Sequence, residues 1–433
     1  MKEKILILGS GAREHALGVA CQQNNDGEVW IYPGNAGTAH LGFLPPIPPE
    51  ALPAHLPRDH ETLARFTDWL SEHNVGLVVI GPEGYMAQGL YDALQMSGIA
   101  TVGCSMQSSH LESSKSFAKD FFNRYHIRTA ATEICDTYSE AQAALDRRKS
   151  YPIVLKYDGL ALGKGVLIAQ DRAAANAFCQ QVFTGVFGES KRCLLETYLA
   201  GREVSVIGMC DGKTFRWLPT SQDFKRRYAQ DQGPNTGGMG AISPCPWLES
   251  NPTLLDTIQT RIVTPFLTGL AKEGWEYRGF LYLGLMVVGH EVYVLETNVR
   301  LGDPETQAIL PRIRQHFVAN LRALAEGNLD KAPPLEVSAD STVYIVAAAK
   351  QYPTASSVGK VILGHLSPQP PDFLRWAGVD RSKDGQWTTN GGRIFGVGSQ
   401  GETQAMARER AYAALAQVQC DDIEYRPDIG DDS

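Results

Sequence analysis

The stretch Gly279–Gln307, GFLYLGLMVVGHEVYVLETNVRLGDPETQ, decides how the rest of this chain is read. Phe280 to Val288 is a nearly unbroken apolar run, as expected of a buried strand. Gly289-His290 offers a tight turn with glycine first, which suits a type II′ hairpin, and Glu291 to Val299 returns as the second strand. Side chains alternate along a strand, so Glu296, Asn298 and Arg300 share one face while Leu295, Thr297 and Val299 share the other. A carboxylate, an amide oxygen and a guanidinium in line beside a buried strand need partners, because bare burial is costly. The two oxygen ligands suit a hard divalent cation that bridges to phosphate. The arginine suits a phosphate or carboxylate held bidentately. Asp303 and Glu305 follow at once in a polar loop. The competing reading is a solvated sheet face closed by a salt bridge, the commoner fate of such a trio; the buried neighbouring strand weighs against it.

Working back to the start, Lys4 to Leu8, Glu28 to Tyr32, Gly76 to Ile80 and Thr101 to Gly103 read as short strands. Helical segments separate them: the one opened by GSGAREHA, Glu61 to Asn74, and Gln88 to Ser97. That alternation predicts a doubly wound parallel sheet over residues 1–105. Ligands of such sheets sit at the carboxyl ends of the strands. Three polar loops lie there: Gly9 to Arg13, Pro33-Gly34-Asn35, and Gly81-Pro82-Glu83. The first is not a dinucleotide fingerprint. Glu14 replaces the third glycine, and the second strand ends in Tyr32-Pro33-Gly34 where a ribose-binding acid belongs. Gly9, Gly11 and the helix N-terminus can still hold one phosphate, with Arg13 assisting, so a sugar-phosphate is expected. Gly34 and Gly81 are open to a plain turn-geometry reading, more so at Gly81.

Downstream, Ser113 to Tyr125 is a helix with Lys115 and Lys119 on one face; spacing alone slightly favours a solvated basic face. Pro152 to Ala169 reads strand, glycine loop, strand, with Lys156 closing the first strand and Gly159, Gly163, Lys164 and Gly165 in the loop. It fails the P-loop pattern and fits a β-flap over a triphosphate. Thr197 to Glu203, after the strand Lys191–Glu196, can present backbone to an adenine and the Glu203 carboxylate to a ribose. Ser221 to Arg227 and Gly233 to Gly240 follow. The second run is either a linker or a loop whose backbone approaches a ligand closely, and the basic residues Lys225, Arg226 and Arg227 upstream favour a ligand. Thr253–Glu273 and Leu310–Glu326 read as helices. After Ala332-Pro333-Pro334 come short strands and the helix 402–417, read as a scaffold that backs the site.

At 433 residues the chain should form two to four domains. A net charge of −8 argues against a nucleic-acid partner. Eight scattered cysteines with no CxxC pair indicate reduced thiols of a cytoplasmic protein, and no segment approaches the ~20 apolar residues of a membrane helix. The N-terminal MKEKILILGSG runs straight into a strand, so no signal peptide is expected.

GSGAREHA, PGNAGTA, KYDGLALGKGV, SQDFKR, GPNTGGMGA, ETNVRLGDPETQ and TTNGGR occur in that order, and together they resemble the phosphoribosylamine–glycine ligase family of the ATP-grasp superfamily. The resemblance implies an α/β and α+β multidomain fold. Its parts are a Rossmann-like domain (1–105), a linker helix and ATP-grasp lid (106–188), a central ATP-grasp domain (189–328) and a small mixed α/β C-terminal domain (329–433). It implies ATP-dependent ligation of glycine to 5-phosphoribosylamine through glycyl phosphate, in the second step of purine synthesis, with Mg²⁺ or Mn²⁺. The alternative is a paralogous amide ligase with another amino acid or sugar amine. By resemblance, Glu296 and Asn298 match the metal ligands. Lys115, Lys156, Gly163, Lys164, Gly165, Glu196, Tyr198, Leu199 and Glu203 match the ATP site. Gly11, Arg13, Asn35, Glu83, Gly238 and Met239 match the substrate side. Asp223, Lys225, Arg300 and Asp303 match the acyl-phosphate centre. Expected partners are these small molecules, with neither nucleic acid nor membrane, and the chain is expected to be a monomer or weak dimer. The pattern is departed from at Tyr157 and Phe224 (Ala and His in typical members), at Thr297 and Leu301 (Phe in both), and in Gly84-Tyr85-Met86 and Gln351 to Thr354. Tyr157 and Phe224 flank site loops, so an altered substrate is the question they raise.

Overall fold

The computed structural model describes residues 4–24, 27–43, 60–161 and 165–431. Lys4–Gly9, Val29–Pro33, Val75–Ile80 and Thr101–Cys104 form the expected parallel sheet, with Lys4–Gly9 between Val29–Pro33 and Val75–Ile80. Leu6, Leu8, Val78 and Ile80 pack in one core, and Ile5, Ile7, Leu77 and Val79 in another. Both faces are covered, which is why these strands are apolar at nearly every position.

The sheet does not stop at residue 105. Thr101–Cys104 pairs antiparallel with Tyr277–Val288, Tyr277 opposite Cys104 and Arg278 opposite Gly103. The N-terminal sheet is therefore continuous with the central one in a single eight-stranded sheet. The junction covers an edge that would otherwise expose unpaired backbone. Gly279 permits it: a Cβ there would lie 2.7 Å from the Gly103 carbonyl oxygen.

Tyr277–Val288 and Glu291–Asn298 form the predicted hairpin, with Gly289 at φ +61. The pairing holds one irregularity. Leu285 faces Val294 and Gly284 faces Glu296, so Leu295 is an extra residue, a β-bulge. The bulge reverses the phase of the strand. Val292 and Val294 are buried before it, Thr297 and Val299 after it. Were Leu295 paired in an unbulged strand, Glu296 and Asn298 would share the buried face of Val292 and Val294.

The lid is a four-stranded sheet in the order Thr132–Cys135, Cys193–Thr197, Ile153–Tyr157, Val166–Ala169, backed by helices Tyr138–Arg147 and Arg172–Thr184 around a separate core. Its strand Cys193–Thr197 lies in the segment expected to belong to the central domain. The last sheet is built on Ser341–Ala349 and Arg393–Gly401, and Gly240–Ser243 and Gln222–Asp223 extend it. The segment 224–239, which holds the glycine-rich loop, thus begins and ends on the C-terminal sheet. Two helices read as continuous are broken. The segment 310–326 holds a 3-10 turn Leu310–Arg312 and a short strand Ile313–Gln315 before the helix Phe317–Glu326, and a π turn at Gln259–Val263 joins Pro252–Ile258 to Thr264–Glu273; the helix read from Ser113 is Lys115–Arg124, capped by Ser114 after a separate helix Met106–Ser113. Among the described residues no helix is long and apolar enough to cross a membrane.

Candidate active site

The bulged strand brings Glu296 and Asn298 to the floor of a cleft roofed by the lid. Four cations face Glu296. Lys225, whose Nζ lies 3.4 Å from Oε1, does most to hold this carboxyl below its usual range; Lys156, Lys115 and Arg300 add to it against burial. An ionised carboxylate beside the Asn298 carboxamide oxygen is a hard donor set that fits a divalent cation. Lys156 Nζ donates to the Leu295 carbonyl at the bulge (2.8 Å) and pairs with Glu196 Oε2 at 3.0 Å. Lys115 Nζ donates to the Gly159 carbonyl of the flap (2.9 Å). Gly165 lines the cleft, while Gly163 and Lys164 lie outside the described residues.

Lys119 does not lie on the solvated face that its spacing suggested. It is buried against Glu196 Oε1 at 2.9 Å and lines the cleft with Lys115, because the helix Lys115–Arg124 packs its other side, at Phe121, on Phe266. Burial pulls the Lys119 ammonium down to about 8, with the Glu196 carboxylate opposing. Burial would raise Glu196, but Lys156 and Lys119 overcome it and keep the acid below its usual range. Glu196 is thus tied to two lysines through its side chain. Tyr198 and Leu199 do not line this cleft.

Glu203 and Asp223 converge with Glu296 on Lys225: Nζ is 2.5 Å from Glu203 Oε1 and 3.9 Å from Asp223 Oδ2. Burial acts to lower Lys225, but Asp223 and Glu203 hold it well above the usual lysine range. Ser205 Oγ reaches Asp223 Oδ1 (3.5 Å) and Glu305 Oε1 (3.2 Å), and burial raises both acids.

Arg300 connects this cleft to the carboxyl ends of the parallel strands. Its Nη2 meets Glu112 Oε1 at 2.9 Å and donates to Asn298 Oδ1 at 3.3 Å; its Nε meets Glu83 Oε2 at 3.2 Å. Glu112 was not singled out in the sequence; it ends a short helix and also accepts the Val299 N–H (2.7 Å). Burial pushes its carboxyl up to about 7, with Arg300 opposing and Glu83 assisting.

On the far side of Arg300 lies a cavity of about 510 Å³ between the first and third loops. The donors expected to hold a phosphate there are already engaged. Gly11 N donates to Glu14 Oε2 (2.7 Å), and Arg13 donates to Glu14 Oε1 (2.7 Å) and the Leu301 carbonyl (3.1 Å). The Glu14 side chain fills the space between Gly9 and Gly81, where Cβ atoms would come within 2.5 and 2.3 Å of it. Gly81 is therefore required by this close approach, not by turn geometry, and Glu14 in the third-glycine position closes the loop to a pyrophosphate. Asn35 is likewise committed. Its Oδ1 accepts from Gly37 and Thr38 N–H, and its Nδ2 donates to the Ser10 carbonyl (2.8 Å).

Asp303 lines this cavity and a second of about 480 Å³ that opens toward the C-terminal domain. It accepts from Gln307 Nε2 (2.7 Å) and Arg393 Nη2 (2.8 Å). Burial would raise it; Arg393 and Arg13 hold it low. The C-terminal domain therefore contributes Arg393 to the site rather than only backing it. A single arginine at the end of TTNGGR was the available signal. Gly238, at φ +108, packs on Pro304, while Met239 is buried in the C-terminal core. Arg226 and Arg227 do not face a ligand cavity. Arg226 donates to the Gly233 carbonyl; Arg227, 2% exposed, donates to the Tyr352 carbonyl and pairs with Glu424.

The two departures nearest the site turn away from it. Tyr157 is buried in the lid core, where its hydroxyl accepts Ser190 N–H (3.2 Å) and its ring lies against Gly159 and Gly188. Phe224 packs on the C-terminal core beneath the Arg426 guanidinium.

A four-stranded lid with its own core, set over a strand that carries Glu296 and Asn298, is the arrangement of an ATP-grasp protein. Comparison with known proteins agrees at finer grain. Residues 3–112, 113–306 and 342–432 match the N, ATP-grasp (A) and C domains of phosphoribosylglycinamide synthetase. A phosphoribosylamine–glycine ligase of Phenylobacterium zucineum (strain HLK1) is 39% identical over 98% of both chains. That of Caulobacter vibrioides is 38% identical over 99% of this chain and 98% of the relative. The crystal structure of the Thermotoga maritima phosphoribosylamine–glycine ligase superposes with a TM-score of 0.81 at 35% identity, covering 98% of this chain and 100% of that one. The biotin carboxylase domain of Hydrogenobacter thermophilus 2-oxoglutarate carboxylase, solved with MgADP, shares the fold at 17% identity, with a TM-score of 0.69 over 98% of this chain and 92% of that one. The chain belongs to the phosphoribosylamine–glycine ligase family.

Proposed function

We infer that this chain is an ATP-dependent carbon–nitrogen ligase that joins glycine to 5-phosphoribosylamine, giving glycinamide ribonucleotide, ADP and phosphate, in the second step of de novo purine synthesis. The observation that carries the reading is the strand end Glu296–Asn298–Arg300. It faces the lid cleft on one side and reaches Glu83 at the parallel strands on the other.

A carboxylate attacking a γ-phosphoryl group is anion meeting anion, and positive charge must offset it. Lys115, Lys156 and Lys119 supply fixed charge in the cleft. Glu296 and Asn298 would hold Mg²⁺ or Mn²⁺, whose charge when bound offsets that of the phosphoryl oxygens. In our reading Arg300 orients the glycine carboxylate. A glycine carboxylate oxygen takes the γ-phosphoryl group, the β,γ bridge breaks and ADP departs. The amine nitrogen of phosphoribosylamine then attacks the acyl carbon, the bond to phosphate breaks and the amine proton is released. The lid keeps water from the acyl phosphate. We take Glu203, Tyr198, Leu199 and Gly165 to serve the nucleotide. Asp223 and Lys225 set the charge near the acyl centre, and Glu83 and Asp303 border the acceptor.

Within residues 106–188, the strands Thr132–Cys135, Ile153–Tyr157 and Val166–Ala169 with their two helices are proposed to move as the lid together with Cys193–Thr197, while the linker helix Lys115–Arg124 stays packed on the body at Phe266. A monomer or weak dimer suffices, since one chain lines the cleft and both cavities, and a cytoplasmic setting suits eight free thiols. The packing of Tyr157 and Phe224 into cores favours glycine and phosphoribosylamine over an altered pair. The test is ADP release with each substrate omitted in turn, followed by a panel of amino acids. Turnover with another amino acid and none with glycine would replace this reading by the paralogous ligase.

A further inference from the structure

The TTNGGR motif ends in a side chain that joins three separate segments. Arg393 Nη1 donates to the Gly237 carbonyl (2.6 Å) and the Asp303 carbonyl (3.0 Å), while Nη2 donates to Asp303 Oδ2 (2.8 Å). Arg393 begins the long C-terminal strand, Gly237 lies in the glycine-rich loop, and Asp303 follows the Glu296–Arg300 strand end. The contact admits no bulk: a Cβ on Gly237 would lie 2.9 Å from the Tyr352 hydroxyl and 3.3 Å from Arg393 Cζ, and one on Gly238 2.3 Å from Pro304. Tyr352 adds a second tie, its hydroxyl accepting the Gly237 N–H at 2.8 Å. These groups stand apart from the nucleotide cleft, whose lining includes neither Asp303 nor Arg393. Asp303 borders instead both cavities that meet at Ser10 and Gly11, and Arg393 borders the one that opens toward the C-terminal domain.

We propose that Arg393 is a positioning residue for the acceptor half of the reaction, fixing Asp303, with the Gly237 loop as its brace, so that the carboxylate can receive an N–H or hydroxyl group of the sugar amine. The C-terminal domain thereby takes part in recognising the acceptor. A carboxylate held by one guanidinium and one carboxamide keeps lone pairs for a third donor, and an amine or a ribose hydroxyl is the donor class that fits. This rests on the ligase reading above.

The test uses the full-length chain and compares the wild type with Arg393→Gln and Arg393→Lys. KM is measured for ATP, glycine and phosphoribosylamine, and in the reverse direction for glycinamide ribonucleotide. ADP affinity is measured by calorimetry. Arg393→Gln should raise KM for the two sugar substrates about tenfold or more, the scale of a lost charge-assisted hydrogen bond, and leave KM for ATP and ADP affinity within about twofold. Arg393→Lys should recover part of the loss. If Arg393→Gln does not fold, Tyr352→Phe, which removes one hydroxyl, should show the same split in smaller measure. Equal changes in every KM, or no change in any, would overturn the proposal while leaving the ligase reading intact. A wild type that turns over without phosphoribosylamine would remove both.

Discussion

Glu196 holds the lid to the body of the protein, and Glu196→Gln measures how strongly. The carboxylate lies between Lys119 on the linker helix (2.9 Å) and Lys156 on the lid (3.0 Å), and Lys156 in turn donates to Leu295 of the central hairpin. All three charges are buried. Removing one partner of a buried pair costs roughly 3–5 kcal/mol, because the charge left behind is uncompensated. Glutamine keeps the shape and can still accept one hydrogen bond, worth about 1 kcal/mol, but its NH₂ then faces the other ammonium. A net loss of about 3 kcal/mol in the closed lid follows, equivalent to roughly a hundredfold faster amide exchange in Ile153–Tyr157 and Cys193–Thr197. Hydrogen–deuterium exchange resolved by mass spectrometry reads this directly. Amides of the parallel sheet, such as those of Val75–Ile80, serve as the internal control. Adding Mg·ATP should narrow the gap between variant and wild type, since phosphates can stand in for the missing carboxylate. A change below tenfold in the lid strands, or an equal change in the control strand, would refute the idea that this triad latches the lid. The sign with pH follows from the lowered Glu196 carboxyl: its contribution is present above the unfolded value and is lost as pH falls through the folded one.

Glu296→Ala should abolish ADP release while circular dichroism and the unfolding midpoint stay near those of the wild type; full activity would show that the metal is held elsewhere. Glu112, raised from 4.5 to about 7, binds a proton more tightly folded than unfolded, so its contribution to stability falls as pH rises between those values. Glu112→Gln should flatten that part of the stability–pH curve in urea titrations, and an unchanged slope would contradict the assignment. Tyr157→Ala should destabilise the lid by about 3–5 kcal/mol through the cavity it leaves, without altering the choice of amino acid in a substrate panel. A shift in that choice would mean that Tyr157 reaches the substrate.

Much of this was legible along the chain because it rests on local patterns. Apolar alternation and glycine turns give the strands, and residues two apart on one strand share a face whatever surrounds them, so Glu296, Asn298 and Arg300 could be grouped without a structure. The side that group faces was decided elsewhere. One extra residue, Leu295, shifts the strand phase so that Val292 and Val294 point inward while Glu296 and Asn298 face the cleft. The apolar phase does change between Val294 and Thr297, but a bulge depends on the register of the partner strand, which a single strand does not encode. Polar side chains were the least legible of all. Arg13, Asn35, Arg226 and Arg227 have the composition of ligand-binding groups, yet partners both near in sequence (Glu14, Gly37, Gly233) and distant (Leu301, Ser10, Tyr352) consume their hydrogen bonds. Lys119, Glu112 and Arg393 looked ordinary, yet they are brought into the site by helix packing and by a sheet strand whose Arg393 lies 90 residues from Asp303 in sequence. Local sequence determines which groups a segment can offer. Which of them remain free for a substrate is settled by the partners that only the folded chain brings within hydrogen-bond distance.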